Sequence, residues 1–567
     1  MERREPFLQS LLRLPSEIWQ TAWPAAALLS LVVWVVFGQA IPNELTFDDL
    51  DTIKYNQAIR SLRNLPILFS KDYFRLSDEY TYRPVVTLSY FFDRAIIGKN
   101  PAIYHIHNVA LHHANVLLVF LLFNLLGLQR WRSFAIALLF AVHPLHTEAV
   151  LFPGFREDVQ MTLGLLVMSC CLAADRRQLM GWWVFGASLA LAFALFAKEG
   201  ALLLPAAWLA FDAIHNRTDR RQLALRRRYG LLLLVLIFYG AIRFLVMTNP
   251  NAAAMDVIDR LPLKERLLTA PYLFAYYVRR FLWPTPLCII HEIEALRGIG
   301  PTFYISLLVS GAIAALWIGL AQREKWVWLV GLWLLATFAP VANIYQIVNL
   351  WAERFYYVVG VGMSAIFVAG LGALWDRLSK RMETNRRFAF AIIIWILVGL
   401  LAWMAALCDL KRILECRTSL LLWRTTVRCV PTNGSALTTL AIYELEAGNI
   451  PRAEQIALEA AQHDGGEYRV NFILGQAAFR RQKWDEAMAY FEKALTVPPP
   501  SLRSRAELVL SLAHSYLKAG QSAKAATLLH QAIEQDPENR TLHDLLRQIE
   551  PKSQDSVSTS PAVSAKD

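Results

Sequence analysis

The chain has 567 residues, of which 56% are hydrophobic and 12% aromatic. This composition excludes an ordinary soluble protein, and the length exceeds that of one domain. The net charge of +11 would suit a nucleic-acid partner, but the Lys and Arg residues stand in short clusters between apolar runs, where they face lipid headgroups. We therefore predict a polytopic membrane protein that contacts membrane lipid, carries an additional domain and has no nucleic-acid partner.

Apolar stretches of roughly 17 to 25 residues predict about eleven transmembrane helices. They cover residues 22–41, 107–127, 131–149, 159–174, 180–197, 200–214, 230–247, 303–320, 326–341, 356–375 and 388–407. Alternate connections are basic, as at 129–132, 215–229 and 376–387, and the positive-inside rule places these in the cytoplasm. The first loop and all residues after 407 are then expected outside the cytoplasm.

One apolar stretch, residues 267–290, is interrupted by Arg279, Arg280, Pro284 and Pro286. If it crossed the membrane, every later basic loop would face outward. We therefore interpret it as a re-entrant or interfacial segment on the outer side.

The residues after 433 show amphipathic helical periodicity with an internal period of 34 residues. Windows 434–467, 468–501 and 506–539 superimpose, with the insert SLRS before the last one. Small, aromatic and turn residues recur in the pattern typical of tetratricopeptide repeats, in which paired helices pack closely. We predict a repeat solenoid of about three units, which indicates a fold more strongly than a function.

Charged residues collect near the outer ends of several predicted spans. They occupy the first loop, about 42–105, and the segments 143–158, 197–200 and 343–357. Burying such groups is costly unless they pair or line a polar cavity, so we predict that the four segments form one composite site. Within the first loop, residues 85–107 are predicted to form an amphipathic helix on the membrane surface.

Several of these segments together resemble a known family. The motifs are FDDLDTIKYN from residue 47, YRPVVTLSYFFD from 82, AVHPLHTEAVLFPGFRED from 141, FAKEG from 196 and WAERFYY from 351, with repeats behind them. In this order they resemble the transmembrane and tetratricopeptide-repeat O-mannosyltransferases and their bacterial relatives, of the GT-C superfamily. The chain departs from the family at Phe155–Asp158, where relatives tend to have Gly-Arg-Ala-Asp.

The resemblance implies an all-α fold: a GT-C-like membrane helical bundle followed by an extracytoplasmic α-solenoid. The expected domains are a membrane domain, a connecting helix, the repeats and a disordered tail, at 1–407, 408–433, 434–545 and 546–567. The implied enzyme is an inverting glycosyltransferase. It moves mannose or another hexose from a polyprenyl-phosphate carrier, a lipid-linked donor, onto a protein Ser or Thr hydroxyl.

The resemblance also implies roles for residues near the outer membrane face. Asp48 or Asp49 would be the general base, because a carboxylate near the membrane edge can be held ionised by a neighbouring Arg and kept from bulk water. Of the two we favour Asp48. Asp51 is interpreted as a solvated loop residue or a helix cap. Cations would bind the donor phosphate, and the candidates are Arg83, Arg156, Lys198 and Arg354.

The remaining candidates have alternative structural interpretations. Glu157 and Asp158 either belong to the site or pair with Arg156, and Lys198 with Glu199 is either an ion pair or a ligand contact. Glu353 is expected to orient Arg354. His143 and His146 are expected to be hydrogen-bonded in the wall of the site rather than to bind a metal, and no metal or other cofactor is required.

Two other function classes remain open from the sequence. The same chemistry could transfer sugar onto a glycan or a lipid, and a membrane-anchored scaffold or transporter would need no catalysis. We expect the repeats to recruit an acceptor protein in the periplasm of a bacterium, with the lumen of the endoplasmic reticulum as the alternative.

Overall fold

The computed structural model describes residues 7–70, 73–74, 82–178, 181–215, 219–246, 261–345, 347, 349–380, 382, 384–498, 502–537 and 539–550. Within these ranges the secondary structure is helical and contains no β-strand. The chain divides into two compact units, Met1–Ser419 and Leu420–Asp567. This boundary falls inside the predicted connecting helix at 408–433, which instead holds the end of one long helix and a separate short one.

Fourteen helices in the described part of the chain lie in the first unit. They are α1 (Phe7–Phe37), α2 (Pro84–Ile97), α3 (Pro101–Leu125), α4 (Arg130–Ala141), α5 (Thr147–Leu151), α6 (Arg156–Gln178), α7 (Gly181–Ala197), α8 (Leu204–His215), α9 (Asp219–Val246), α10 (Leu263–Leu282), α11 (Pro301–Ala321), α12 (Trp326–Phe338), α13 (Tyr356–Ser379) and α14 (Thr384–Glu415).

The first unit is that of a multi-pass membrane protein. Six described segments are long and apolar enough to cross a bilayer, and a seventh results if the bent pair α4 and α5 counts as one span. The six are Ala22–Ala40, Pro101–Leu125, Pro153–Asp175, Pro301–Ala321, Glu353–Ser379 and Ala391–Glu415. The other predicted spans also fall on helices, but within the described residues these are not among the long apolar segments. The number of eleven spans therefore stays a prediction.

Two sequence features position the corner between α4 and α6. The axis bends by 54° between Arg130–Ala141 and Pro144–Leu151. Pro144 begins a new helical turn there, because proline favours the first position of a helix, and the His143 ring accepts a hydrogen bond from the Leu145 N–H. Behind the corner, α6 and α7 pack closely at Gly164, where a Cβ atom would lie 2.7 Å from the Ala190 carbonyl oxygen.

The predicted surface helix at 85–107 is divided in two. Helix α2 ends at Gly98, whose φ of 78° suits glycine, and Asn100 caps α3 by accepting a hydrogen bond from the Ala102 N–H. Phe92 and Ile96 on α2 are exposed, in keeping with a lipid-facing side. The ambiguous segment at 267–290 contains most of α10, which is not among the membrane-spanning helices, so its interfacial placement stays a prediction.

The second unit contains the predicted repeats. After α15 (Ser419–Cys429), three helix pairs and a final helix follow, namely α16 (Gly434–Glu446), α17 (Ile450–Ala461), α18 (Glu467–Arg480), α19 (Trp484–Leu495), α20 (Leu502–Lys518), α21 (Ser522–Gln535) and α22 (Arg540–Ile549). The three intra-pair turns place Gly448, Gln482 and Gly520 at equivalent positions with positive φ. The disordered tail was predicted to begin at residue 546, but α22 continues to Ile549. The rest of the predicted tail, from 551 onward, lies outside the described residues.

Close helix packing explains the small residues of the repeats. In the second pair, a Cβ atom on Gly475 would lie 2.6 Å from the Phe491 ring. Phe491 itself is fully buried, together with Ala487 and Ala494 on the same helix. The 34-residue period therefore reflects one repeated interface between neighbouring helices.

Candidate active site

The FDDLD loop folds back onto the corner that precedes α6. Phe47 adopts a left-handed φ of 54°, and its ring packs edge to face against Phe152 and Phe155. The loop then enters a single π-helical turn at Leu50–Lys54, in which the Tyr55 N–H donates to the Leu50 carbonyl over 2.8 Å. Such turns are frequent at functional sites.

Asp49 fixes this loop to the corner. Its Oδ1 accepts a hydrogen bond from the Gly154 N–H at 2.6 Å, and its Oδ2 accepts one from the Thr46 N–H at 3.1 Å. Burial raises the pKa of Asp49 to about 8, although both N–H groups oppose that shift. Both oxygens of Asp49 are engaged in hydrogen bonds to the backbone, so its geometry suits a positioning role.

Gly154 permits this contact. A Cβ atom at Gly154 would lie 3.0 Å from both Asp49 Oδ1 and Thr52 Oγ1, which is tighter than ordinary van der Waals contact. The close approach of the two segments thus depends on the missing side chain.

Asp48 points differently from its neighbour. Its side chain is partly exposed, and in the described part of the chain neither carboxylate oxygen takes part in a hydrogen bond or an ion pair. Burial raises the pKa of Asp48 to about 6, with Arg354 opposing the shift and the Glu157 and Glu148 charges adding to it. The carboxylate is thus ionised at neutral pH, close to a cation and open to a ligand, as a general base requires.

Arg354 lies at the centre of the charged cluster. Its Nη1 donates to Glu148 Oε1 at 2.6 Å, and its backbone N–H donates to Glu148 Oε2 at 2.8 Å. The guanidinium carbon lies 4.0 Å from the centre of the Phe155 ring, so the group is held on its face as well as at one edge. Its electrostatic partners, after Glu148, are Asp48, Glu157 and Asp158.

Two further ion pairs surround Arg354. Arg83 Nη1 lies 2.9 Å from Glu157 Oε1. Lys198 Nζ donates to both oxygens of Asp158, at 2.7 and 2.6 Å, and lies 3.8 Å from Glu157 Oε1. The acidic residues at 157 and 158 therefore pair with Arg83 and Lys198, not with the adjacent Arg156.

The structure thus brings all four charged segments together. The predicted residues that meet in this cluster are Asp48, Asp49, Arg83, Asp158, Lys198 and Arg354, joined by Glu148 and Glu157. Asp51 is exposed in the π-helical turn, as expected of a loop residue.

Arg156 lies apart from the open side of the cluster. It is fully buried, and its guanidinium donates to Asp93 and Ser89 on α2 and to Asn108 and the Tyr104 carbonyl on α3. These bonds occupy all three guanidinium nitrogens. Arg156 therefore joins α2, α3 and α6, and its geometry does not fit the predicted contact with a donor phosphate.

Two predicted carboxylates also have other partners. Glu353 does not contact the Arg354 side chain but accepts hydrogen bonds from the Cys288 N–H at 2.8 Å and from the His291 ring at 3.2 Å. Glu199 lies 3.8 Å from Arg243, whereas Lys198 pairs with Asp158. Glu353 thus anchors the segment after α10, and Glu199 has no ion pair with Lys198.

His143 and His146 belong to a buried aromatic group beside the site. His143 stacks on Phe281 with ring centres 5.0 Å apart and bonds to the Phe281 carbonyl, and His146 bonds to the Phe140 carbonyl at 2.7 Å. Both rings also stack on Tyr356. Across the described ranges, no group of three or more His, Cys, Asp or Glu side chains is arranged to hold a metal.

Glu148 is the site residue that the sequence interpretation missed. It is 1% exposed, and it lies in the first turn of α5, inside the motif that starts at residue 141. A Glu in an otherwise apolar span end was a usable signal, because such a charge must find a partner. Its partner is 206 residues away in sequence, which periodicity cannot show.

The comparisons with known proteins support the resemblance seen in the motifs. Residues 438–501 and 478–549 match two family models described as tetratricopeptide repeat. The chain is 22% identical to protein O-mannosyl-transferase F38B6.6 of Caenorhabditis elegans, covering 72% of this chain and 58% of that protein. It is 26% identical to human protein O-mannosyl-transferase TMTC4, covering 65% of this chain and 58% of that protein.

The predicted resemblance to O-mannosyltransferases is therefore confirmed, although the chain spans little more than half the length of these relatives. Two solved structures are also similar to the chain. The apo oligosaccharyltransferase of Archaeoglobus fulgidus matches with a TM-score of 0.41 and 14% identity, covering 69% of this chain and 56% of that one. ArnT from Cupriavidus metallidurans, bound to undecaprenyl phosphate, matches with a TM-score of 0.37 and 16% identity, covering 89% of this chain and 79% of that one. Scores this low carry no functional argument.

Proposed function

We propose that this protein is a membrane glycosyltransferase that moves a hexose, mannose in the first instance, from a polyprenyl-phosphate carrier onto a Ser or Thr hydroxyl of an acceptor protein. The observation that carries the proposal is the partly exposed Asp48 carboxylate, which has no hydrogen bond among the described residues and interacts electrostatically with the Arg354 guanidinium that Glu148 holds. The similarity to protein O-mannosyl-transferases supports the reaction class.

The proposed chemistry is a single displacement with inversion. Asp48 removes the proton of the acceptor hydroxyl while that oxygen attacks the anomeric carbon of the sugar. The bond between the anomeric carbon and the phosphate oxygen breaks, and its electron pair leaves with the polyprenyl phosphate. Arg354, Arg83 and Lys198 stabilise the charge that grows on the departing phosphate, so this scheme assigns no step to a metal.

The charges of the cluster favour a phosphate donor over a diphosphate donor. Each cation already has a carboxylate partner: Glu148 for Arg354, Glu157 for Arg83 and Asp158 for Lys198. The cluster therefore has little spare positive charge, and the Asp48 carboxylate adds a negative one. A sugar linked through one phosphate brings one negative charge, whereas a diphosphate link brings two and would be repelled more strongly.

The repeats supply the proposed acceptor site. Stacked helix pairs present an extended surface suited to a polypeptide, and the repeat models cover residues 438–549 of the second unit. We place the reaction and the repeats on the non-cytoplasmic side, in a bacterial periplasm. The basic loops at 129–132, 215–229 and 376–387 support this orientation.

The test uses the purified full chain in detergent with radiolabelled polyprenyl-phosphate mannose and extracts of periplasmic proteins. We expect label in protein and its loss in the Asp48→Asn variant, with Asp51→Asn as the matched control from the same loop. Mass spectrometry of the product then separates a Ser or Thr acceptor from a glycan or lipid. Equal transfer by Asp48→Asn and the unmodified chain would remove Asp48 as the base.

A further inference from the structure

Glu148 bears a relation to Arg354 that no other carboxylate in the described residues has. It holds the side chain through Oε1 and the backbone of the same residue through Oε2. One carboxylate thereby fixes both the backbone of Arg354 and the direction of its guanidinium. Phe155 covers one face of that guanidinium at 4.0 Å, so the group is held from two sides.

The contacts leave part of Arg354 available. Within the described residues its hydrogen bonds use the backbone N–H and Nη1, and its side chain is 12% exposed, whereas Glu148 is 1% exposed. Arg354 lies in the same cluster as Asp48, and its positive charge stabilises the Asp48 carboxylate. A guanidinium with one edge bound and another open is suited to bidentate contact with a phosphate.

We propose that Glu148 is a positioning residue, which orients Arg354 toward the phosphate of the lipid-linked donor and toward Asp48 without itself contacting the substrate. This inference rests on the proposed function and extends it, because it assigns donor binding chiefly to Arg354 among the three cations. Arg83 and Lys198 each contact a carboxylate by side chain alone.

The proposal predicts how the effect of a Glu148 substitution is divided between kcat and KM. In Glu148→Gln, one of the two accepting oxygens becomes an NH2 group, which is a donor. In the same rotamer it then faces either the Arg354 side chain or the Arg354 N–H, and one of the two hydrogen bonds is lost. The loss of a charge-assisted hydrogen bond predicts a decrease of about 10- to 100-fold in kcat/KM. Most of this decrease should appear as a higher KM for polyprenyl-phosphate mannose.

A double-mutant cycle tests whether Glu148 acts through Arg354. We expect Arg354→Gln to reduce kcat/KM at least as much as Glu148→Gln, and the double variant to be no worse than Arg354→Gln alone. The double variant also avoids leaving a buried charge without a partner. Additive losses would mean that Glu148 acts independently of Arg354 and would overturn the proposal.

A matched control separates positioning from general stability. Asp212 is a fully buried carboxylate of the same unit that pairs with Arg228 at 2.6 Å, outside the candidate site. Asp212→Asn should lower the melting temperature without changing the KM for the donor. A KM increase in Asp212→Asn equal to that in Glu148→Gln would attribute both to loosened structure and refute the positioning role.

The outcomes also distinguish this inference from the proposed function. If the unmodified chain transfers no sugar, the proposed function fails, and binding of the donor can still be measured by its protection against thermal unfolding. Protection that is lost in Glu148→Gln and kept in Asp212→Asn supports the positioning role without any turnover. Equal protection in the unmodified chain and in Glu148→Gln contradicts it.

Discussion

The Asp48→Asn variant should lose activity while becoming more stable. The pKa of Asp48 is raised by burial from its ordinary value of 3.8 to about 6. A raised folded-state pKa means that the folded protein binds the proton more tightly than the unfolded chain. The stability that this proton contributes is fully present below about pH 4 and is lost as the pH rises through about 6.

The size of the effect follows from the two pKa values. The ionised carboxylate costs about 3 kcal/mol at about pH 7.5 and roughly half of that at about pH 5. An uncharged amide of nearly the same shape removes this cost, so we expect a gain of about 1 to 3 kcal/mol at neutral pH. Loss of the general base should lower kcat by about 10²- to 10⁴-fold at the same time.

Thermal unfolding in detergent, followed at about pH 5 and about pH 7.5, measures the stability change. The Asp48→Asn variant should melt above the unmodified chain, and the gap should be wider at the higher pH. Asp51→Asn is the control, because Asp51 is exposed and should change the melting temperature little. A variant that melts lower at neutral pH would show that Asp48 stabilises the fold. The inference that burial makes its ionised carboxylate destabilising would then be wrong.

Three further outcomes are expected. The kcat/KM for transfer should fall below about pH 6, because Asp48 is then protonated, and a flat profile from about pH 5 to 8 would contradict its role as the base. Gly154→Ala should lower activity and melting temperature together, since its Cβ would press on Asp49; unchanged kinetics would show that the loop adjusts. Gly475→Ala should unfold the repeats at a lower temperature, because its Cβ would meet Phe491, and should leave transfer to a short peptide substrate unaffected.

The periodic parts of the fold were predictable because each repeats a local rule. The 34-residue spacing gave the three helix pairs, since every pair reuses the same close contact, as at Gly475. The length of each apolar stretch predicted where the membrane helices lie, but not which of these helices cross the bilayer on their own. Helix α8 falls on a predicted span, yet its 12 residues are too few to cross a bilayer alone.

The partners within the site were less predictable, because ion pairing depends on direction rather than on proximity in sequence. Arg156 is adjacent to Glu157, yet consecutive helical residues point about 100° apart, so Arg156 turns inward to Asp93 while Glu157 faces Arg83. Glu353 and Arg354 are likewise consecutive, in a 3-10 helical turn, and point apart: the first faces the Cys288 N–H and the second faces Glu148. In each pair, one residue therefore holds neighbouring segments together and the other belongs to the charged cluster: Arg156 and Glu353 do the first, and Glu157 and Arg354 the second. An acidic or basic motif therefore identifies where a site lies, whereas assigning its catalytic members requires the direction of each side chain.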